Sequence, residues 1–236
     1  MTPQTSKCTI APPITVFAGT VGAGKSTQMR LLACKLKEKG IDVRTTFIKT
    51  GHLPAYLLEV VLDRIFVRRS EYASPIRALI EKKPHLFRRL FKLWLALDII
   101  GVSLKFLFNV HVPVKAGFVV LVEEYIPATV VDYVSLSKAI GLPHGASSFA
   151  SNFMLRLQNL GGPIQVIFLD ARADALISRS RLRNQMEERP EYLGMQRTML
   201  RSLLDRSSSG RLLYLDTTDQ TIERVHDRII NYVEKS

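Results

Sequence analysis

The stretch "GTVGAGKS", residues 19–26, decides the fold of this chain because it fits the pattern G-x-x-x-x-G-K-[ST]. It follows "ITVFAG" (residues 14–19), an apolar run typical of a strand, and precedes a helical pattern over residues 24–39 that ends at Gly40. In this context the glycines allow backbone amides to converge on a phosphate, and the helix N-terminus adds its positive end. The sequence therefore predicts a loop that binds a nucleoside triphosphate.

The chemistry of this loop assigns a role to two side chains. Lys25 is predicted to contact the β- and γ-phosphates of ATP, and Ser26 to offer its hydroxyl to Mg²⁺. The residues predicted to bind ATP are Gly19, Val21, Gly22, Ala23, Gly24, Lys25, Ser26 and Thr27. Kinases, GTPases and motor ATPases share the motif, so it predicts triphosphate binding without naming the reaction.

Five short apolar runs alternate with helical patterns along the chain. The runs cover residues 14–19, 41–48, 118–122, 164–170 and 211–216. Apolar strands of this kind are buried on both faces, which favours a parallel sheet covered by helices on either side. We therefore predict a P-loop NTPase fold, a three-layer α/β/α arrangement with a five-stranded parallel sheet. Residues 1–236 are expected to form one domain, with a lid over approximately residues 179–194.

Composition limits the class of protein without choosing among ligands. The 236 residues are 47% hydrophobic and 23% charged, which is ordinary for a globular domain, and the net charge is +12. That charge suits a polyanionic ligand, a nucleic acid or an anionic surface, although the scattered basic pairs favour a solvated surface. Cys8 and Cys34 have no metal-ligand spacing, and the N-terminus lacks a signal-peptide core, so a cytoplasmic location is expected.

The longest apolar stretch covers residues 93–114 and is interrupted by Asp98, Lys105, Asn109 and His111. A membrane-spanning helix requires about 20 mostly apolar residues with few charges. We therefore expect a buried helix and no membrane span. Trp94 and Asp98 could anchor a flat group in a pocket on this helix, and core packing is the alternative for the aromatic residues.

The run "FVVLVEEY" (residues 118–125) ends a predicted strand with two adjacent acids. A phosphate-loop enzyme needs an acid near Mg²⁺, usually at the end of another strand. Because side chains alternate faces along a strand, Glu123 and Glu124 are not expected to point at one site. One is expected to reach metal-bound water or the attacking nucleophile, and the other to face a basic partner or the entrance. Glu123 is the preferred metal ligand or base. Asp170 ends another strand and is the alternative candidate for the metal, although a cap of the next helix is the favoured prediction for it.

Arginines are concentrated in "RADALISRSRLRNQMEER", residues 172–189. Arg172, Arg179 and Arg183 are separated by seven and four residues, so they share one face of a helix. Arg179 and Arg183 are the candidates to neutralise charge that develops during phosphoryl transfer. A solvated basic face is the alternative.

The string "FAGTVGAGKSTQ" (residues 17–28) resembles the start of thymidylate kinase and its relatives among the nucleoside monophosphate kinases. "AGFVVLVEEY" resembles the family's strand with its Asp-Arg-Tyr motif, and "GGPIQVIFLDARADALISRSRLR" resembles its strand and Arg-bearing helix. The resemblance extends in outline over most of the chain. It implies Mg²⁺- and ATP-dependent phosphoryl transfer to a nucleoside monophosphate such as thymidylate, by a cytoplasmic homodimer.

The acceptor side departs from the family pattern. Glu123 stands where the family has aspartate, whereas Glu124 stands where it has an arginine that contacts phosphate. "FIKTGHLP" offers Lys49 and His52 where the family has a Glu-Pro segment, and Ile99 follows Asp98 where the family has an arginine. The candidate substrate residues are Lys49, His52, Trp94, Asp98 and Glu124.

Two other functions remain open. A diverged ATP-binding module without kinase activity would use the net charge to bind nucleic acid or a protein, although nucleic acid is not the favoured partner. A kinase for a non-nucleotide acceptor is the second alternative, and the apolar middle helix favours it.

Overall fold

The computed structural model describes residues 12–52, 54–67, 75–143, 145–182, 190–208 and 211–235, although not the side chains of residues 180–182, 190–193, 195 and 207. Strands and helices alternate within these ranges, as the sequence predicted.

The five strands form one parallel sheet, which confirms the predicted fold class. The strands are β1 (Ile14–Gly19), β2 (Val43–Ile48), β3 (Val119–Glu124), β4 (Ile164–Asp170) and β5 (Leu212–Asp216). They lie in the order β2-β3-β1-β4-β5. The strand leading into the phosphate loop is therefore central, and the strand with the two glutamates is its neighbour. Ligands of such sheets bind at the carboxyl ends of the strands, at the point where the strand order reverses.

The helices cover both faces of the sheet. They are α1 (Lys25–Glu38), α2 (Pro54–Phe66), α3 (Pro75–Lys82), α4 (Pro84–Phe106), α5 (Val112–Lys115), α6 (Ile126–Ala139), α7 (Ser148–Asn159), α8 (Ala173–Leu182), α9 (Pro190–Ser207) and α10 (Ile222–Lys235). A π-helical turn, Leu107–His111, joins α4 to α5. The sequence predicts a mostly helical stretch over residues 75–109 that breaks near Pro84, and the structure has this break between α3 and α4. Proline cannot donate the backbone hydrogen bond that would continue a helix.

Alternation along the strands produces two apolar cores. One core contains Val16, Val122 and Phe168 together with buried residues of α2, α3, α4, α6, α7 and α9. The other contains Phe17, Leu121 and Ile167 together with buried residues of α1, α8 and α10. Adjacent strand residues thus face opposite cores, which is the three-layer arrangement that the apolar strands predicted.

Pro84–Lys115 is the one helix in the described part of the chain that is long and apolar enough to cross a membrane, and 39% of its most apolar window is buried in the protein. Phe91, Trp94, Asp98 and Phe106 of this helix are buried in the protein interior. Length and composition are weak evidence for a span, because core helices of globular proteins have the same properties.

The β3–α6 connection is shorter than predicted. The sequence pattern predicts a helix over residues 130–140, but α6 begins at Ile126, with Pro127 in its first turn. Proline is well tolerated there because the first amides of a helix have no intrahelical partner. β3 also extends through both glutamates, because Glu123 and Glu124 pair with Phe47 and Ile48 of β2.

Candidate active site

The phosphate loop leaves β1 through Gly19 and enters α1 at Lys25. Gly22 and Gly24 have positive φ angles of 88° and 97°, which side chains rarely adopt. The Gly24 carbonyl accepts the first hydrogen bond of α1, from the Gln28 amide at 3.0 Å. Backbone amides at such a helix N-terminus bind phosphate, so the loop has the geometry that its sequence predicted.

The Lys25 ammonium lies inside the loop and is 6% exposed. It donates to the carbonyls of Gly19 at 3.1 Å and Thr20 at 2.9 Å, and its Nζ lies 3.0 Å from Oε1 of Glu124. An ammonium has three donors, so these contacts occupy all of them. Binding the β- and γ-phosphates requires Lys25 to exchange these partners for phosphate oxygens.

Both glutamates at the end of β3 contact the phosphate loop, so the prediction that they cannot point at one site is wrong, although one of them, Glu124, does face a basic partner as expected. Glu123 Oε1 accepts the Ser26 hydroxyl at 2.7 Å, while Glu124 pairs with Lys25. Alternation fails because Glu124 and Tyr125 have φ angles of 67° and 112°, which take the chain out of the extended conformation. The short turn into α6 thereby aims consecutive side chains at neighbouring loop residues.

The Ser26–Glu123 pair fits a magnesium site. Mg²⁺ prefers oxygen ligands and usually takes only one or two from protein, with phosphates and water completing the octahedron. The two oxygens already lie 2.7 Å apart beside the loop. The described ranges contain no group of three or more histidine, cysteine or acidic residues suited to holding a metal by themselves. That is consistent with a cation bound jointly by protein and nucleotide.

Asp170 supports the phosphate loop, and its predicted role as a helix cap is wrong. Its carboxylate accepts the hydroxyls of Thr20 at 3.0 Å and Tyr214 at 2.7 Å, and it forms a two-point ion pair with Arg197. It also accepts the next amide, from Ala171, but α8 begins only at residue 173. Thr20 belongs to the loop, so Asp170 connects the loop to β5 and α9.

Arg197 is a site residue that the sequence did not predict. Its guanidinium lies 2.7 Å from one oxygen of Asp170 and 2.9 Å from the other. Paired, two-point contacts of this kind fix both partners in orientation. No local pattern identifies Arg197, because its partner precedes it by 27 residues in another element.

Arg179, a candidate for a phosphate or nucleotide contact, lies beside the phosphate loop. Its guanidinium donates to the Thr217 carbonyl at 2.7 Å and hydroxyl at 3.1 Å, and approaches the Gly22 carbonyl at 3.5 Å. Arg172 is exposed and pairs with the acids Asp174 and Asp219 instead. Arg183 lies outside the described residues, as does the middle of the predicted lid (179–194), residues 183–189.

Three of the candidate acceptor residues, Lys49, His52 and Asp98, come together at the loop that leaves β2. Asp98 accepts the amides of Gly51 at 2.8 Å and His52 at 3.4 Å, and the hydroxyl of Tyr133 at 2.8 Å. The Lys49 amide in turn points at Nε2 of His52, 3.4 Å away. Asp98 therefore holds the loop that leaves β2 against α4 and α6.

Trp94 packs as a core residue and also holds a polar group. It stacks on Phe91 and meets Tyr133 edge to face, with ring centroids 5.9 and 6.1 Å apart. Its indole donates to Glu59 at 2.8 Å. Glu59 is buried on α2 and was not among the predicted residues, because a single acid in an apolar helix is indistinguishable by pattern from a surface residue.

Burial changes the protonation of this cluster. It raises the pKa of Glu59 to about 7 and that of Asp98 to about 6. It also lowers the pKa of His52 to about 4, with a further contribution from the nearby Lys105 ammonium. Near neutral pH the cluster therefore carries less charge than its composition indicates.

We expect the free energy of unfolding to decrease as the pH rises from about 5 to about 8, partly through Glu59. A carboxyl whose pKa is raised by folding contributes stability below its unfolded pKa of 4.5 and loses it as the pH passes about 7. Glu59→Gln retains an acceptor for Trp94 and should show a smaller decrease, measured by urea unfolding at several pH values.

The surface variant Glu38→Gln is the control for this pH dependence. It makes the same chemical change at an exposed residue. It should reproduce the decrease of the unmodified chain. Equal decreases in Glu59→Gln and in the unmodified chain would contradict the role assigned to Glu59.

One curated relative supports the resemblance over a short segment. A thymidylate kinase from Desulfotalea psychrophila is 44% identical over 57 residues, which are 24% of this chain and 28% of that protein. The match thus spans less than a third of the relative's length. No family model matches the chain.

Solved structures match the chain over almost its whole length. Thymidylate kinase from Ehrlichia chaffeensis has a TM-score of 0.52 and 18% identity, covering 94% of this chain and 97% of that one. Thymidylate kinase from Candida albicans has a TM-score of 0.54 and 14% identity, covering 94% and 91%. Deoxyadenosine kinase from M. mycoides, solved with bound dCTP, has a TM-score of 0.56 and 14% identity, covering 94% and 100%. The chain therefore shares the fold of these thymidylate and deoxyadenosine kinases.

Proposed function

We propose that this chain is an ATP- and Mg²⁺-dependent kinase that transfers the γ-phosphoryl group to a nucleoside or a nucleoside monophosphate. The observation that carries the proposal is the placement of the Lys25 ammonium inside the phosphate loop, beside the Ser26–Glu123 pair. Phosphoryl transfer depends mainly on positioning and electrostatic stabilisation, which this arrangement supplies.

The chain's residues have distinct tasks in this reaction. Lys25 would bind the β- and γ-phosphates once it leaves the carbonyls of Gly19 and Thr20. Ser26 and Glu123 would hold Mg²⁺, which neutralises phosphate charge when bound. Arg179 borders the loop at Gly22 and would position the nucleotide from the side of β5. Asp170 keeps the loop in place through Thr20.

The acceptor is tested directly with the unmodified chain. With ATP and Mg²⁺, we expect ADP formation to increase on addition of thymidine, deoxyadenosine or their 5′-monophosphates. These acceptors are chosen because the similar proteins are a thymidylate kinase and a deoxyadenosine kinase. ATP binding without any stimulation of ADP formation would instead support a diverged ATP-binding module, or a kinase for a non-nucleotide acceptor.

We also propose that the chain forms a homodimer through one apolar surface. This surface, the α2–α4 face, consists of the exposed residues Leu57, Val61, Ile65, Leu93, Ile100, Leu104 and Phe108. Their spacing places them on one stripe of each helix, and α2 packs against α4. Monomers seldom expose contiguous apolar patches of this kind, whereas homodimer interfaces are rich in them.

The free, exposed thiol of Cys34 is consistent with the proposed cytoplasmic location.

The double variant Leu57→Lys, Ile100→Lys should be monomeric. Both side chains are more than half exposed, so lysine is tolerated in the single chain but would bury a charge in the dimer. Sedimentation equilibrium should give twice the chain mass of 26.6 kDa for the unmodified protein and the single mass for the variant.

Phe149→Lys is the control for the dimer, because Phe149 is 79% exposed but lies on α7, outside the α2–α4 face. It should remain dimeric. A monomeric unmodified protein at tens of micromolar would exclude the proposed dimer.

A further inference from the structure

We infer that the phosphoryl acceptor presents a hydroxyl group, as a nucleoside does, and that Glu124 is the general base that removes its proton. The inference rests on the proposed kinase function and deepens it. It selects the nucleoside over the nucleoside monophosphate that the resemblance to thymidylate kinase implies.

The placement of Glu124 is the first observation. Its side chain is 4% exposed, and Oε1 pairs with Lys25 at 3.0 Å. The other oxygen, Oε2, is buried and accepts no hydrogen bond from the residues that the structure describes. An unsatisfied buried carboxylate oxygen is costly, so a residue that retains one often has a chemical task. A ligand hydroxyl that donates to Oε2 would satisfy it.

Backbone conformation supports the same conclusion. Glu124 has a φ of 67°, an uncommon conformation for a residue other than glycine, asparagine or aspartate. The following residue, Tyr125, is at 112°. Such conformations persist when surrounding structure enforces them, and they concentrate at functional sites. Here they bring a second carboxylate to the phosphate loop, next to the one that contacts Ser26.

Several charged groups lie on the acceptor side of the site. The loop that leaves β2 beside Glu124 is anchored by two more carboxyl groups: Asp98 accepts the Gly51 amide, and Asp132 accepts the Thr50 hydroxyl. Among the described residues, contacts place two ammonium groups here: Lys25, which ATP would engage, and Lys105, which lies 3.1 Å from His52. A phosphate monoester would add nearly two negative charges at neutral pH to a region that already holds these carboxyl groups. A neutral hydroxyl compound would add none.

The chemistry assigned to Glu124 is needed only for a hydroxyl. Once ATP engages Lys25, the Glu124 carboxylate loses its cation and is free to accept a proton. The acceptor oxygen then forms a bond to the γ-phosphorus while the bond from that phosphorus to the β,γ-bridging oxygen breaks, leaving its electron pair on ADP. The hydroxyl proton passes to Glu124 and then to water. The products are a phosphate monoester, ADP and one proton. A phosphate acceptor is largely deprotonated at neutral pH and needs no such base.

The test compares acceptor classes on the unmodified full chain. Transfer of label from γ-labelled ATP is measured with thymidine and deoxyadenosine, and in parallel with their 5′-monophosphates at equal concentrations. We expect transfer to the nucleosides, with a nucleoside 5′-monophosphate as product. Transfer to the monophosphates alone would overturn this inference while leaving the proposed kinase in place. Transfer to neither class would overturn both.

Variants of Glu124 then test its role in the step. Glu124→Gln should lower kcat for the nucleoside by roughly 100-fold or more, the usual contribution of a general base, without raising KM for ATP. Glu124→Asp should recover part of kcat. A purely structural role would raise KM for ATP and lower the melting temperature together. Retention of kcat within about tenfold in a folded Glu124→Gln protein would overturn the assignment.

Discussion

Replacing Lys25 with alanine should lower the rate of phosphoryl transfer by roughly 100- to 1000-fold, the usual effect of removing one preorganised donor from a transition-state site. Lys25 is the one ammonium found inside the described phosphate loop, and it carries three contacts there. The rate is measured as label transfer from ATP at saturating acceptor, together with the affinity for ATP.

The Lys25→Ala variant also leaves Glu124 without its buried cation, so its stability must be measured alongside its activity. Lys25→Arg retains a charge but presents it as a wider, planar group, and should restore stability more than rate. Lys35→Ala is the matched control, since Lys35 lies on the exposed side of the same helix α1. Transfer that survives Lys25→Ala undiminished would exclude the phosphate-loop mechanism.

Replacing Gly19 with alanine should destabilise the fold by about 3 kcal/mol or more, because steric overlap and backbone strain add. A Cβ atom at this position would lie 1.8 Å from the Leu169 carbonyl oxygen of the adjacent strand β4, and the φ of 129° disfavours any side chain. In a domain of this size that loss corresponds to a decrease of roughly 10 °C in melting temperature. Thermal unfolding followed by circular dichroism measures it.

Gly40→Ala provides the comparison for Gly19→Ala. Gly40 also has a positive φ, 76°, but a Cβ there would meet no atom within 4 Å. It should therefore show only the backbone cost of about 1 kcal/mol. Equal losses at the two positions would show that conformation alone, and not contact with β4, limits residue 19.

Much of the architecture was predictable from local sequence. β1 and the phosphate loop lie where the motif places them, and β4 has its predicted bounds, because apolar runs and glycine punctuation are local signals. Helix boundaries were less accurate. The start of α6 at Ile126 was missed because its first turn contains Pro127, which reads as a loop signal in sequence but is favourable at that position.

Site residues were predictable where a motif fixes their neighbours. Lys25 and Ser26 follow from the loop pattern, and Glu123 follows from its position at the end of a strand. Arg197 and Glu59 carried no local signal, since their partners, Asp170 and Trp94, lie 27 and 35 residues away. Side chains so far apart in sequence meet only when the sheet and helices have packed.

The sequence by itself determined the phosphate loop, the parallel sheet and the acid at the end of β3, because each depends on residues that are adjacent along the chain. Tertiary structure alone decided the orientation of Glu124 and the role of Asp170. Strand alternation predicted opposite faces for the two glutamates, but the tight β3–α6 turn forces φ to 67° and brings both to the loop. Asp170 received its partners from the phosphate loop, β5 and α9. A buried carboxylate takes whichever donors packing brings to it, and that choice is not encoded in neighbouring residues.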